Sequence, residues 1–530
     1  MLDDLRRLED GAELETDLCV IGGGAAGIAI AHELLGARTE VIVLESGGLR
    51  RSAETESLNE GETAGLHSES LTAGRGRLLG GATDQWGGQC LRPDPDTFAE
   101  RSWVEHSGWP FDVHVLEPYL RRAESFFRIE GEVYDERVWD GFGVERPAVD
   151  TTRLLHRFSV WCPEPRLGRL YRERLAQAAN VRVLLHATAT EILTTASGDR
   201  FDSVRAATPE GKTVRVRSRA CVLCVGAVEN ARLLLASTGV HAAGIGNGHD
   251  LVGRFFQDHP NGHAAVIGAG NVERLQELYA LRYRGRVRYL PRLVLSPERQ
   301  RSEEVLSCAA HPVFHFGEES GIEAARRLRR ALARRRRPEQ LGRELGRIAR
   351  DAGALASAAY QRIAHGGSTL TRPTMVTLQT HSEQAPNADS RVTLSARRDR
   401  LGVPLPKVDW RLTELDRRTT EVMVKAVGEE FRRLGLGEVR AEHWLADAGW
   451  TTRVHDSYHH MGTTRLGRDP RTSVVDADGQ IHGLAGMFVA GSSVFPAAGY
   501  ANPTLMIVAL AIRLGDHLKG TLNELPRKAA

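Results

Sequence analysis

Asp17-Leu-Cys-Val-Ile-Gly22-Gly-Gly24-Ala-Ala-Gly27-Ile28 reads as the end of a buried strand, a glycine loop and the start of a helix. Ile28, Ile30, Leu34 and Leu35 supply the apolar side of that helix, and Glu40-Val-Ile-Val-Leu-Glu45 is the next strand. The unit is therefore strand–helix–strand. In the pattern Gly22-x-Gly24-x-x-Gly27 the first glycine permits a tight turn, the second lets a pyrophosphate approach the backbone, and the third lets helix and strand pack closely. Around Ala26 the helix N-terminus offers free N–H groups and partial positive charge. Glu45 ends the second strand, 23 positions after Gly22, with Ser46 following. Its carboxylate can accept from ribose hydroxyls and would repel a 2′-phosphate, so NADP is disfavoured. The bland alternative is a glycine-rich turn without a ligand. The loop alone does not choose between NAD and FAD.

The chain around this unit has 530 residues, 41% hydrophobic and 26% charged, enough for two to four domains without disulfide or metal support. Lys+Arg is 70 against 68 Asp+Glu, a net charge of +2, which excludes a globally basic nucleic-acid binder and an acidic solvating protein. The six cysteines are too scattered for a disulfide framework. Cys221 and Cys224 sit in an apolar strand pattern that points them to opposite faces, and no second Cys/His pair lies near to complete a zinc site; buried thiols and no metal are expected. The N-terminus has no signal-like apolar run and no stretch reaches ~18 apolar residues, so a cytoplasmic protein without an integral membrane segment is expected.

Residues 68–92 are glycine-rich and irregular. Helices are expected from Leu116 to Phe127, at 168–179, 229–236 and 413–434, and from Thr504 to Leu518. Strands are expected at 181–185, 189–193, 219–225 and 486–491, with strand-like pieces at 282–295, 305–316, 372–382 and 390–395. A helical hairpin is expected over 321–365. Both chain ends have strand–helix texture and the middle differs. This predicts a nucleotide domain mainly from 12–261, a second domain mainly from 262–454 with its helical insertion, and a return to the first domain over 455–520.

Six later stretches carry a family resemblance. Gly80-Gly81-Ala-Thr83-Asp-Gln-Trp86-Gly87-Gly88 resembles the flavin loop of the glucose-methanol-choline (GMC) oxidoreductases. Arg215–Ser237, with Gly226-Ala227, resembles their second nucleotide strand and helix, and Gly253-Arg-Phe-Phe-Gln-Asp-His259-Pro the lead into their substrate domain. His459-His460-Met-Gly-Thr-Thr-Arg-Leu-Gly, Val475-Asp-Ala-Asp-Gly-Gln-Ile-His-Gly and Gly499-Tyr-Ala-Asn502-Pro-Thr-Leu follow the family's order, the last in the manner of its pyranose-oxidase branch. The resemblance spans nearly the whole chain and is weakest over 262–370. It implies an α/β fold, a Rossmann-like FAD domain built from separated segments plus an α+β substrate domain with an antiparallel sheet. It also implies alcohol oxidation by hydride transfer to FAD.

The resemblance implies His459 as catalytic base and Asn502 as its companion. A neutral imidazole can take the alcohol proton, and an amide N–H can stabilise the developing alkoxide. His460 is the rival. On an extended segment only one of the adjacent rings should face the flavin, and position favours His459. Asn502-Pro503-Thr504 could also simply start the last helix. By the same resemblance FAD is held by Gly22, Gly24, Ala26, Gly27, Glu45, Ser46, Gly80, Gly81, Thr83, Trp86, Gly87, Gly88, Ala189, Gly226, Ala227, Gly491, Ser492, Asn502, Pro503 and Thr504. Relatives that attach FAD covalently use a histidine where this chain has Gln85, and His67 is too far along the chain to replace it, so non-covalent FAD is expected. Gly491 stands where many relatives have Asp, so backbone N–H groups of Gly491 or Ser492 must serve there.

Substrate choice lies in the middle third. Gln379, His381 and Glu383 alternate on one expected strand, and His311 and His315 lie on another; they are candidates for the pocket, with a structural or exposed role the favoured reading for each. The resemblance tilts the substrate to a sugar, glycoside or amino sugar, with O2 or another electron acceptor. A non-sugar alcohol, a non-redox lyase of the same fold, an NAD-dependent dehydrogenase and an interaction protein are the alternatives. The arginine run Arg326–Arg337, ended by Pro338, reads as a solvated helix face paired with Glu318, Glu319, Glu339 or Glu344 rather than as a docking surface.

Overall fold

Leu18–Ile21 and Val41–Leu44 are apolar on both faces, and such strands are stable only between two covering layers. They lie side by side inside an eight-stranded sheet. The computed structural model describes residues 1–524 except 67, 69, 334–336, 338–339 and 368–372. The strand order is Leu2–Asp4, Val181–Leu185, Val41–Leu44, Ala12–Ile21, Thr213–Leu223, Phe201–Ala207, Thr188–Thr194, with Met487–Val489 also paired to Thr213–Leu223. The strands from Leu2–Asp4 through Thr213–Leu223, and Met487–Val489, run parallel; the last two in the order form an antiparallel extension. Helices Ala25–Glu33 and Thr504–Glu524 pack against each other. The expected Rossmann-like domain is present, and Met487–Val489, near the chain's end, docks directly on its central strand.

The first helix is seated by two glycines. Gly22 has φ 103°, and a Cβ there would meet the Cys224 carbonyl oxygen at 2.8 Å. A Cβ on Gly27 would lie 1.9 Å from the Gly22 carbonyl oxygen, so only glycine lets the helix rest on the loop it leaves.

The second sheet is antiparallel, in the order Gly437–Ala441, Asn261–Ala269, Met375–Ser382, Cys308–His315, Val287–Leu295, Leu154–Trp161, Gln89–Cys90. The Glu414–Arg433 helix packs on it and begins with a Thr413–Asp416 capping box. Two details depart from the expected segment boundaries. Gln89–Cys90 and Leu154–Trp161, both from the first segment, pair into this second sheet. Conversely Arg391–Arg398 and Pro404–Asp409 pair with each other and with Glu62–Thr63, and pack on the nucleotide-domain helix Ala227–Ala236. Arg232 of that helix explains the second shift: it donates to the Asp399 carboxylate at 2.7 Å and to the Pro404 carbonyl at 2.7 Å.

The 321–365 insertion is three helices, Gly321–Ala333, Leu341–Arg350 and Ala352–His365, rather than a hairpin. Asp351 breaks the second from the third, and its carboxylate accepts from the Gly321 N–H at 2.6 Å. Of the arginine run, Arg327 pairs with Glu344 at 2.8 Å and Arg326 with Glu323. Glu319 is met by Arg347, outside the run. Pro338 and Glu339 lie outside the described residues. All six cysteines are free and buried. Among the described residues there is no cluster of three or more metal-ligating side chains, and no helix is long and apolar enough to cross a membrane.

Replacing Gly27 with alanine should destabilise the protein by about 1–3 kcal/mol or more, because the methyl overlaps backbone that cannot move without moving the central strand. Chemical denaturation measures this, and wild-type stability would mean the helix is not seated on Gly22.

Candidate active site

A cavity of about 750 Å³ takes in both the glycine loop and the His459–Asn502 pair. At the loop, Gly24 is the N-cap of Ala25–Glu33 with no side-chain cap, and a Cβ on it would project into open space. Gly226, φ 84°, caps Ala227–Ala236 in the same bare way. Pro503 and Thr504 bring the start of Thr504–Glu524 to the same cavity. Three helix N-termini thus face one space, and free N–H groups with a partial positive charge suit phosphate oxygens and an anionic ring. This donor set fits the diphosphate and flavin of FAD.

Glu45 is buried and lines the cavity. Its carboxylate accepts from the Gly23 N–H at 2.9 Å and the Gly47 N–H at 2.8 Å. Burial pushes its pKa up, against the pull of those two donors. Each oxygen keeps a lone pair for a ribose hydroxyl. Glu45 therefore also braces the glycine loop, a second job that its position in the sequence does not disclose.

One wall is cationic. Glu229 pairs with Arg75 at 2.5 Å, Arg77 at 3.1 Å and Arg232 at 3.1 Å, and all four line the cavity. The three guanidiniums hold the Glu229 carboxyl well below the usual carboxylate range despite burial. Arg77 also donates to Ser46 Oγ at 3.1 Å. This cluster escaped sequence reading; Arg75-Gly-Arg77 inside a glycine-rich stretch was the available signal.

The other end is built from two segments far apart in the chain. Gln257 pairs with Met461, and Asn261 with His455, antiparallel. Four steps on one side match six on the other, so the 455–461 segment bulges. Tyr458 within the bulge has φ 61°. This corrects the expectation that only one of the paired histidines faces the cavity: both His459 and His460 line it, because strict alternation needs regular extended backbone. Their surroundings differ. The His460 ring lies 5.5 Å from that of Phe256. His459 Nε2 lies 3.4 Å from Asn502 Nδ2, and its Nδ1 lies 2.8 Å from His259 Nδ1. Burial, then His259, Arg292 and His460, hold the His459 imidazole well below the usual histidine range, so it is neutral at pH 7. Burial and Arg75 lower His460 to about 4.

Asp258 staples the two segments. Its carboxylate accepts the N–H groups of His259 at 2.6 Å, Ser457 at 3.0 Å and His459 at 3.1 Å. Burial and Asp456 push its pKa up to about 7, with the backbone donors opposing.

Most expected FAD residues line the cavity, including Gly22, Gly24, Ala26, Glu45, Ser46, Gly81, Thr83, Trp86, Gly87, Ala189, Gly226, Ala227, Gly491, Ser492, Asn502, Pro503 and Thr504. Gly27, Gly80 and Gly88 are not among its lining residues, and each stands where a Cβ would meet protein atoms. A Cβ on Gly80 would meet the Gly168 backbone at 2.8 Å, and one on Gly88 the Cys162 sulfur at 2.9 Å. Gln85 lines the cavity, and His67 lies outside the described residues. Of the five middle-third candidates, His381 lines the cavity, and Gln379 supports its wall by donating to Asn261 Oδ1 at 2.8 Å. Glu383 is structural, fully buried and paired with Arg101 at 2.6 Å. His311 stacks behind His381, ring centroids 5.8 Å apart, and His315 accepts from or donates to Thr377 at 2.8 Å. Gln89 and Asn261 also line the cavity and had no sequence signal.

Residues 170–261 and 386–511 match the two family models described as GMC oxidoreductase. The chain is 26% identical to the paromamine 6'-oxidase of Streptomyces fradiae, over 96% of this chain and 92% of that protein. It is 24% identical to the 2-methyl-1,2-propanediol dehydrogenase of Mycolicibacterium austroafricanum, over 96% of each. Its fold is similar to that of the formate oxidase of Aspergillus oryzae RIB40, with a TM-score of 0.57 at 16% identity, over 97% of this chain and 99% of that one.

Replacing Glu45 with glutamine leaves one acceptor and turns an amide NH2 toward a backbone N–H. Loss of a charge-assisted hydrogen bond is worth about 1.5–3 kcal/mol. FAD affinity, followed by the rise in flavin fluorescence on release, should fall roughly 10- to 100-fold, and unchanged affinity would remove Glu45 from the binding set.

Proposed function

This chain belongs to the GMC oxidoreductase family, and from that membership and its cavity we propose that it oxidises a CH–OH group of a sugar, glycoside or amino sugar. It is an oxidoreductase acting on alcohols, and its cofactor is FAD. The observation that carries the mechanism is a neutral, cavity-facing His459 with Asn502 within 3.4 Å of its Nε2. His459 takes the hydroxyl proton of the bound alcohol at Nε2. Asn502 donates its amide N–H to the oxygen as negative charge builds there, a contribution of roughly 3–4 kcal/mol. Asn502 Oδ1 is buried without a hydrogen-bond partner among the described residues, and a second substrate hydroxyl would satisfy it. FAD, when bound, supplies the acceptor for the hydride that leaves the same carbon. Gln85, whose amide cannot form the histidyl bond, supports non-covalent attachment.

The polar wall supports a polyhydroxylated substrate. Gln89 Nε2 has no partner among the described residues, and Asn261 and His381 stand on the same cavity. An apolar alcohol would leave such groups unpaired, at a cost of about 1–3 kcal/mol each. The relative that oxidises paromamine agrees with this reading. The relative that acts on 2-methyl-1,2-propanediol keeps a smaller non-sugar alcohol as the second reading.

Anaerobic stopped-flow reduction over sugars, glycosides, amino sugars and simple alcohols tests the substrate class; reduction by simple alcohols alone would overturn it. With a reducing substrate in hand, His459→Ala should slow reduction by roughly 10²–10⁴-fold with FAD retained. His460→Ala should be milder, and the reverse ranking would move the base by one residue. Because the depressed His459 pKa keeps the imidazole neutral below 6.5, the reduction rate should stay level as pH falls past 6.5. It should drop when the ring protonates at lower pH; a drop centred above 6.5 that persists in Asp258→Asn, where the carboxyl with a pKa of about 7 is gone, would contradict a buried neutral base. Acid precipitation should leave the yellow colour in the supernatant, and colour in the pellet would mean covalent flavin.

A further inference from the structure

His259 is the nearest side chain to the proposed base on the side away from Asn502, and the mechanism above gives it no role. Its ring and that of His459 are nearly perpendicular, at 81°, with centroids 4.9 Å apart and Nδ1 atoms 2.8 Å apart. Two ring nitrogens at this distance share one proton. Two bare lone pairs would repel, and two N–H groups would collide.

The direction of that bond settles what His459 can do. If His259 donates, a neutral His459 carries its own proton on Nε2 and offers the alcohol no lone pair. If His459 donates, its Nε2 is bare and faces Asn502 and the cavity. The Asn502 side of the His459 ring separates the two cases. Asn502 Nδ2, which can only donate, lies 3.4 Å from His459 Nε2. It favours a bare His459 Nε2, which puts the proton on His459 Nδ1 and leaves His259 Nδ1 as the acceptor. We propose that His259 sets the tautomer of His459, accepting its Nδ1 proton so that the Nε2 lone pair is presented to the alcohol.

The pair is held for this purpose. Asp258 accepts the main-chain N–H of both residues, and Ser457 Oγ donates to the His259 carbonyl at 2.9 Å. The charged and titratable groups acting on the pair are Arg292 and His460 on His459, Glu383 and Arg292 on His259, with His381 near both. Arg292 is buried with its Nε unpartnered, and its positive field opposes protonation of either ring. Burial lowers His259 to about 4, so it acts as a neutral acceptor. His259 touches neither substrate nor cofactor in this scheme; it is a positioning residue. The inference rests on His459 being the base.

The test combines spectroscopy with kinetics. In protein labelled with ¹⁵N-histidine, with the His459 signals assigned by their loss in His459→Ala, wild type should show His459 protonated at Nδ1 and bare at Nε2. His259→Ala should move population to the Nε2-protonated form. It should slow anaerobic flavin reduction at least ~10-fold with little change in substrate dissociation constant. His259→Asn places an amide oxygen close to where Nδ1 was, so it should restore the rate to within about threefold. A wild-type spectrum with His459 Nε2 protonated would overturn the proposal. So would His259→Ala at wild-type rate and tautomer, or equal impairment of the alanine and asparagine variants. His459→Ala at wild-type rate would instead refute the base assignment itself, a failure distinct from these.

Discussion

The Asp258 carboxylate, with backbone N–H groups of His259, Ser457 and His459 around it, is the joint on which the active centre depends. It ties the lead-in to the substrate sheet to the bulged segment that begins the return to the nucleotide domain. A buried carboxylate is costly unless hydrogen-bonded, and three donors from two segments leave little freedom in their relative placement. The bulge carries two more residues than its partner, which lets His459 and His460 both reach the cavity. Remove the joint, and His459, His259 and Asn502 lose their common reference.

The two ends of the cavity have opposite electrostatic needs. The nucleotide end must hold negative charge, and it presents three helix N-termini and the Arg75–Arg77–Arg232 cluster around a single Glu229. The end with His459 holds its imidazole neutral. Burial does this, with Arg292 adding a positive field. The same field would favour an alkoxide forming beside Asn502. Cationic groups thus face an anion-suited end of the cavity and a neutral imidazole at the other.

Legibility in sequence followed the range of the interactions. The strand–glycine loop–helix unit was readable because turn geometry, close approach and helix–strand contact all fall within a few residues. The overall architecture, an antiparallel sheet beside a Rossmann-like domain, was readable through motifs in family order. Three glycines expected among the FAD residues show the limit. Gly27, Gly80 and Gly88 each have protein atoms where a Cβ would stand; the motif announced this packing for Gly27, but nothing in the sequence announced it for Gly80 or Gly88. The hairpin expected at 321–365 became three helices because the chain breaks at Asp351, whose carboxylate is taken by the distant Gly321 N–H.

The strand–glycine loop–helix–strand unit of residues 17–45 and the absence of a histidine at position 85 were settled by local order and residue type. Tertiary structure alone decided that Glu45 braces the loop, that Arg391–Arg398 belongs with the nucleotide domain, and that both adjacent histidines face inward. It alone brought His259 to His459 across 200 residues. The reason is physical: turns, caps and alternation act over a few bonds, whereas a bulge, a buried carboxylate joint and a shared proton exist only once distant segments pair.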